Sequence, residues 1–454
     1  MSAAEAKPTL LRTTELQSKL YQAALGDGRR RFHALYDKLY LPYVLECAWA
    51  LVRRNHGGAG IDGVTIEQIE AGDVGAFPEE IAQSLRDKRY RPTPVRRVNI
   101  PKGDGRVRPL GIPTIGDRVV QAAAKLVLEP IFEADFRDVS YGFRPGIGQH
   151  DALAAVEKHS WRGFRWVVDA DIEQFFDTLD HQKLMSALRR RISDGAMLRL
   201  IYRWLKAGFM VGEVYHATDD GSPQGGVLSP LLANVYLHVF DTALCQQKVF
   251  IGHLTRYADD FVIQCGAEEQ VRRALEWATG QIEGMGLRLH TGKTRIVNDR
   301  EVGFDFLGFH HRRVVLRCGR RSGKESGGVL RWPSQKACAR LRERVGQLLG
   351  TPWCVRHRWQ EVMGDLERYL TGWCQYYRHG TVARVFAKLD WWIRQRVCRH
   401  FARAQPTGKR RKPRRWTWYV FRPSIRMQLP SLMQIRKQPF VPRVGKANVR
   451  WRAV

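Results

Sequence analysis

Tyr257-Ala258-Asp259-Asp260, with Leu254 ahead of it and Phe261-Val262-Ile263 behind, is the stretch whose reading decides the fold. Apolar runs on both sides of a short polar centre predict a β-hairpin with a tight turn. Such a turn holds two negative charges side by side, which is electrostatically unfavourable unless something positive is near. A divalent metal is the obvious candidate. Asp-rich turns are common and usually just solvated, so the reading depends on a third carboxylate in a matching setting.

Trp166-Val167-Val168-Asp169-Ala170-Asp171-Ile172 supplies it. Its composition predicts a strand, and a period of two puts Trp166, Val168, Ala170 and Ile172 on one face and Val167, Asp169 and Asp171 on the other. Glu173-Gln174-Phe175-Phe176-Asp177 then turns away, and a helix begins through His181-Gln182-Lys183-Leu184. Asp171 with Asp259 and Asp260 is the minimum set for a phosphoryl-transfer site in which two Mg²⁺ ions about 4 Å apart hold the attacking and leaving oxygens. Mg²⁺ suits such a site because it binds through a few carboxylates, waters and substrate phosphates. Between the two elements lies the loop Gly221-Ser222-Pro223-Gln224-Gly225-Gly226, whose glycines let backbone approach a ligand closely. Ser229-Pro230 predicts the N-cap and first position of the next helix, and Leu231, Leu232, Val235, Tyr236, Val239 and Phe240 its packed face.

Five blocks in this order, namely Asp171-Ile172 with Phe175-Phe176-Asp177, Ser222-Pro223-Gln224-Gly225, Tyr257-Ala258-Asp259-Asp260, Gly286-Leu287 with Lys293-Thr294, and Phe306-Leu307-Gly308-Phe309, resemble those of reverse transcriptases. The set as a whole resembles the reverse transcriptase/maturase proteins encoded by bacterial group II introns, over roughly residues 40 to 400. Arg108-Pro109-Leu110-Gly111-Ile112-Pro113-Thr114, Asp117-Arg118-Val119-Val120-Gln121 and Tyr141-Gly142-Phe143-Arg144-Pro145 are similar to the family's fingers segments. The resemblance implies an α/β right-hand polymerase fold, with fingers and palm of antiparallel sheet plus helices, followed by an α-helical thumb or maturase X domain. It implies Asp171, Asp259 and Asp260 as catalytic metal ligands for two Mg²⁺ ions, with Asp169 structural. Phe176 would sit under the incoming sugar and reject a 2′-hydroxyl, with Phe175 in the core. Gln224 would lie against the nucleotide or template, Lys102 and Arg108 would clamp the triphosphate, and Lys293 would pair with or protonate the pyrophosphate.

Composition points the same way. Seventy-five Lys and Arg against 45 Asp and Glu give a formal charge of +30, which suits a partner carrying many phosphates. After Asp390 no acidic residue follows, whereas Arg394, Arg396, Arg399, Lys409-Arg410-Arg411-Lys412, Arg414 and Arg415 do. A segment so one-sided predicts nucleic-acid contact. Trp391, Trp392, Trp416, Trp418, Tyr419 and Trp451 interleave with it, mostly as core material, some as stacking surfaces.

No run of about 18 apolar residues occurs and Met1 to Lys19 lacks a signal-peptide core, so a cytoplasmic protein, nucleoid-associated when on DNA, is expected. The eight cysteines form no Cys-x-x-Cys pair, which suggests neither a zinc site nor disulfides. Many relatives carry a C-terminal zinc-dependent endonuclease that this pattern does not provide, so the primer is expected to come from elsewhere, such as a nascent strand at a replication fork. The expected organisation is an N-terminal helical extension over 1–75, fingers and palm over 76–312, a polar linker over 313–328, a thumb/X domain over 329–405 and a basic segment over 406–454 that orders on binding. The partners implied are group II intron RNA, target DNA, dNTPs and the RNA–DNA hybrid, in reverse transcription during retrohoming and in splicing. A splicing-only RNA-binding maturase and a host-serving reverse transcriptase in CRISPR, DNA repair or phage defence are the alternatives.

Overall fold

A computed structural model describes residues 3–73, 75–101, 107–218, 220–221, 225–317, 325–350, 358–403 and 431–438; side chains of 3–8, 315–317, 325–327, 359 and 401–403 are left aside. The chain divides into two compact units. The first contains residues 3–159 and 168–296, the second residues 160–167 and 297–438.

The first unit opens with helices α1 (Ala3–Gly26), α2 (Pro42–Arg54), α3 (Ile66–Ala71) and α4 (Ala76–Arg86). Strands β1 (Val95–Pro101) and β2 (Val107–Ile112) form an antiparallel hairpin, and α5 (Ile115–Glu133) follows. Thr114 caps α5 by accepting from Asp117 N, and nearly every side chain of this helix is buried, Asp117 and Arg118 included. Helix α6 (Gln149–Trp161) leads to β3 (Trp166–Asp171) and then α7 (His181–Arg189) and α8 (Gly195–Leu205). Asp180 caps α7 through Gln182 N and Lys183 N at 2.7 and 2.9 Å. Asp194 caps α8 and also accepts from Leu35 N and Tyr36 N, both at 2.8 Å, so one carboxylate ties the N-terminal helices to the body.

Strands β4 (Phe209–Val211) and β5 (Val214–His216) complete a sheet of order β2-β1-β4-β5. Helix α9 (Ser229–Cys245) begins at Ser229 itself, with Leu228 as the flanking residue and Pro230 in its first turn. The expected core face is present, with Leu237 buried where Val239 is only half-buried. Strands β6 (His253–Tyr257) and β7 (Asp260–Cys265), helix α10 (Glu268–Gly284) and strand β8 (Arg295–Asn298) finish the unit, and the central sheet has the order β6-β7-β3-β8.

In the second unit β9 (Phe304–Phe306), β10 (Phe309–Arg317) and β11 (Glu325–Pro333) form an antiparallel sheet. This corrects the linker expected over 313–328. Val314 pairs with Gly328 and Arg317 with Glu325, so 313–317 and 325–328 are strand, and 318–324 lie outside the described residues. Val314-Val315-Leu316 is a short apolar run that suits a strand, and the arginines on both sides masked it. The compact units divide near residue 297. Helices α11 (Gln335–Leu349), α12 (Trp359–Tyr377), α13 (Ala383–Arg403) and α14 (Leu432–Lys437) follow. Asp390, the last acidic residue, accepts from Ser431 Oγ at 2.7 Å, Leu432 N at 2.8 Å and Met433 N at 3.2 Å, capping α14. Arg378 donates to the carbonyls of Arg436 and Gln438 at the other end. Residues 431–438, within the segment expected over 406–454, are thus packed against α12 and α13; the rest of that segment lies outside the described residues. No helix among the described residues is long and apolar enough to cross a membrane.

Candidate active site

The site begins with the β6–β7 hairpin. Tyr257 pairs with Asp260, which leaves Ala258 and Asp259 as a two-residue turn. Ala258 has φ +59°. That left-handed conformation disfavours a side chain, so surrounding contacts must impose it. Arg256 provides them. It is fully buried in β6, pairs with the equally buried Asp241 of α9 through Nε at 2.7 Å and Nη2 at 2.5 Å, and donates to Asn234 Oδ1, Ser140 Oγ and the Ala258 carbonyl. Gly142 lies so close that a Cβ there would meet Ala258 N at 2.5 Å. The turn is thus held by its carbonyl from inside and by backbone from outside.

The sheet order places β7 beside β3, so Asp260 at the start of β7 and Asp171 at the end of β3 face one region. Burial pushes the Asp260 carboxyl well up, and Asp169, Asp171 and Asp259 push it further. Asp259 is raised by burial and by Asp171, against the pull of its own backbone N–H, Arg108 and Lys293. Four carboxylates therefore act on one another at the end of the central sheet. Asp169, read as structural, accepts from Arg295 at 3.0 Å and is the foremost of the charged neighbours of Asp260. Its shared parity with Asp171 was the available signal.

Lys293 pairs with Asp171, and the segment bearing it is held by His290 N donating to the Asp171 carbonyl at 2.8 Å. Among the described residues no three His, Cys, Asp or Glu side chains stand close enough to enclose an ion by themselves. The donor set nevertheless fits Mg²⁺, which takes hard oxygen ligands, rarely a full protein cage, and completes its shell with water and phosphate. Burial first, and the neighbouring carboxylates after it, disfavour the ionised forms of Asp259 and Asp260, which is the electrostatic counterpart of that fit.

Phe175 is buried, and Phe176 is half-buried with its ring 5.2 Å from Phe175 in an edge-on contact. Gly221, at φ +89°, packs against the backbone of Phe176 and Asp177, where a Cβ would clash at 2.7 Å. Gly225 likewise sits against the Gly111 carbonyl of β2. Gly221 and Gly225 thus lie against the Phe176 turn and strand β2, respectively. Arg108, on β2, is near enough to act on Asp259. Lys102 and Gln224 lie outside the described residues, as do Lys409, Arg410, Arg411, Lys412, Arg414 and Arg415. Arg394, Arg396 and Arg399 are on α13, the first two half-buried and the third exposed.

Arg256 was missed at the sequence level. It shares parity with Leu254 and Ala258 on the hairpin, so a charge on a buried face was legible, but its partner Asp241 comes from another element.

The chain matches the family described as "Reverse transcriptase (RNA-dependent DNA polymerase)" over residues 100–311 and "Group II intron, maturase-specific domain" over residues 340–418. Protein YkfC of Escherichia coli K12 is 36% identical over 392 residues, covering 77% of this chain and 99% of that protein. The group II intron-encoded protein LtrA of Lactococcus lactis is 42% identical over 226 residues, 48% of this chain and 36% of LtrA. An uncharacterised 91 kDa protein in the cob intron of Schizosaccharomyces pombe is 38% identical over 181 residues, 40% of this chain and 21% of that protein.

Proposed function

The chain belongs to the group II intron-encoded reverse transcriptase/maturase family, with the right-hand polymerase fold that this implies, and from that premise we propose a two-metal RNA-directed DNA polymerase centred on Asp171, Asp259 and Asp260. The observation carrying this reading is the placement of Asp259 and Asp260 at the β6–β7 turn beside Asp171 at the end of the neighbouring strand β3, where burial and then the nearby carboxylates raise Asp259 and Asp260. Two bound Mg²⁺ ions would supply the charge that favours an ionised primer 3′-hydroxyl and neutralises the leaving pyrophosphate.

The protein's own groups do the rest. Lys293 releases Asp171 and turns its ammonium to the leaving phosphates. Arg108, with Lys102, binds the triphosphate as a bidentate cationic clamp. Phe176 closes the space beside the sugar, so that deoxynucleotides are accepted and a 2′-hydroxyl is excluded. Gln224 lies against the nucleotide or template. The 329–405 stretch, overlapping the maturase-specific match, is read as thumb and X domain. Together with the basic residues beyond it, this stretch holds intron RNA during splicing and during copying of the intron into target DNA in retrohoming.

Primer extension on an RNA template with Mg²⁺ tests the site. Asp259→Ala should lower the rate by roughly a thousandfold or more, and undiminished synthesis would remove Asp259 from the mechanism. Sequencing the RNA that copurifies from native cells tests the maturase half. Lariat or linear intron RNA supports it; a diverse population of host RNAs points to the host-serving reading.

A further inference from the structure

Phe143 carries two unfavourable features without a packing return. Its backbone has φ +57°, a region that a bulky side chain rarely occupies, and its ring is 45% exposed. A single exposed aromatic needs no explanation. One held outward by a left-handed backbone does.

The hold is firm. Tyr141 N donates to the Arg256 carbonyl at 2.9 Å, and Arg256 N donates to the Val139 carbonyl at 2.8 Å, so the segment bridges to β6. Asn234 donates to the Gly142 carbonyl at 2.7 Å. On the other side Arg144 is buried, paired with Glu133 at 2.8 Å, and donates to the carbonyls of Arg137 and Ser140. Gly142 touches the carboxylate turn at Ala258. Between the buried Gly142 and Arg144, the Phe143 ring alone turns out, 6.2 Å from the ring of Tyr257, the residue that opens the turn.

Position in the sheet identifies what this pair of rings faces. In the order β6-β7-β3-β8, Phe176 follows β3 and Lys293 precedes β8, so the proposed nucleotide side lies at the β3–β8 end. Tyr257 and Phe143 lie at β6, across the carboxylates. The reactant left for that side is the primer.

Resting on the polymerase reading above, we infer that Phe143, with Tyr257, forms the aromatic shelf under the sugar and base edge of the primer's last nucleotide. It is a positioning residue that sets the 3′-hydroxyl against Asp259. Every base and sugar offers an apolar edge, so such a shelf works without sequence preference.

The test uses the full chain with Phe143→Gly, Phe143→Leu and Phe143→Tyr. Fluorescence anisotropy with a labelled primer on an RNA template gives the primer–template Kd, and primer extension gives kcat and the dNTP KM. Expected are a primer–template Kd raised about tenfold for Gly and Leu, the scale of one base–aromatic contact, with a lower kcat and a dNTP KM within about twofold. Tyr should retain wild-type behaviour. Phe143→Gly relieves the left-handed backbone, so its Tm should equal or exceed that of the wild type, separating the loss from unfolding. A raised dNTP KM with an unchanged primer Kd, variants indistinguishable from wild type, or a Gly variant whose Tm falls with its affinity would overturn the assignment. Wild-type protein unable to extend any primer would sink the polymerase reading instead, and the Kd comparison would still decide the role of Phe143.

Discussion

Asp260 in the central sheet and His311 in the second unit's sheet are both titratable groups taken out of water, and they are handled in opposite ways. Asp260 is pushed well above the usual carboxylate range by burial and by three other carboxylates. His311 is fully buried, stacked on Phe304 at 5.1 Å, with neither ring nitrogen hydrogen-bonded, and burial drives it down to about 3. The histidine is a neutral aromatic spacer whose surroundings settle its charge. The aspartate is a carboxyl whose ionised form burial and three neighbouring carboxylates disfavour, an arrangement that a fold retains where a cation is to be received. One residue away from that turn, Arg256 and Asp241 are both fully buried and completely paired. The molecule therefore saturates the charges that hold the turn and leaves unsaturated those the turn presents.

This contrast can be broken most directly at Arg256. Arg256→Met leaves Asp241 buried without its partner and should lower stability by about 3–5 kcal/mol in urea unfolding. The double variant Arg256→Met/Asp241→Leu should regain much of that stability while polymerisation stays low, because the Ala258 carbonyl has lost its donor. If the double variant polymerises normally, the pair does not position the turn.

At His311 the sign runs toward acid. A histidine whose folded pKa is depressed contributes stability present above its unfolded value, near 6.5, and lost as pH falls toward about 3. Wild-type stability should drop by about 1.4 kcal/mol per pH unit below that point from this group, and His311→Phe should flatten the slope. Identical slopes in thermal melts between pH 7 and 4.5 would show that His311 is not buried neutral.

Asp260 has the opposite sign and a smaller effect. Its raised folded pKa makes the folded state hold a proton that the unfolded chain releases, so this contribution grows as pH falls and is lost as pH rises through the folded value. Asp260→Asn should raise metal-free stability at pH 8 by roughly 1 kcal/mol, less at pH 5, and abolish the stabilisation that added Mg²⁺ gives the wild type. A variant less stable than wild type in EDTA would mean that the carboxylates do not repel one another.

Much of the site was legible because its signals are local. The run from Leu254 to Ile263 spells a hairpin, and the period of two in Trp166 to Ile172 separates carboxylates from core. The family resemblance assigns Phe175 to the core and Phe176 to the site, and Phe175 is buried where Phe176 is half-buried. The strand ends at 313–317 and 325–328 were not legible because arginine, serine and glycine there read as solvent-facing loop, although the two segments pair. The short helix within 431–438 was not legible because its cap, Asp390, is 41 positions away from Ser431.

Local order in the chain determined which residues carry charge and chemistry, the elements bearing them, and the family to which they belong, since period, turn chemistry and motif spacing act over a few residues. Only the tertiary structure decided that Asp169 joins the carboxylate group, that Arg256 and Asp241 hold the turn from within, and that Phe143 stands beside Tyr257. Those relations depend on which strands become neighbours and which charges lose water together, and burial of paired elements settles both only once the whole sheet has closed.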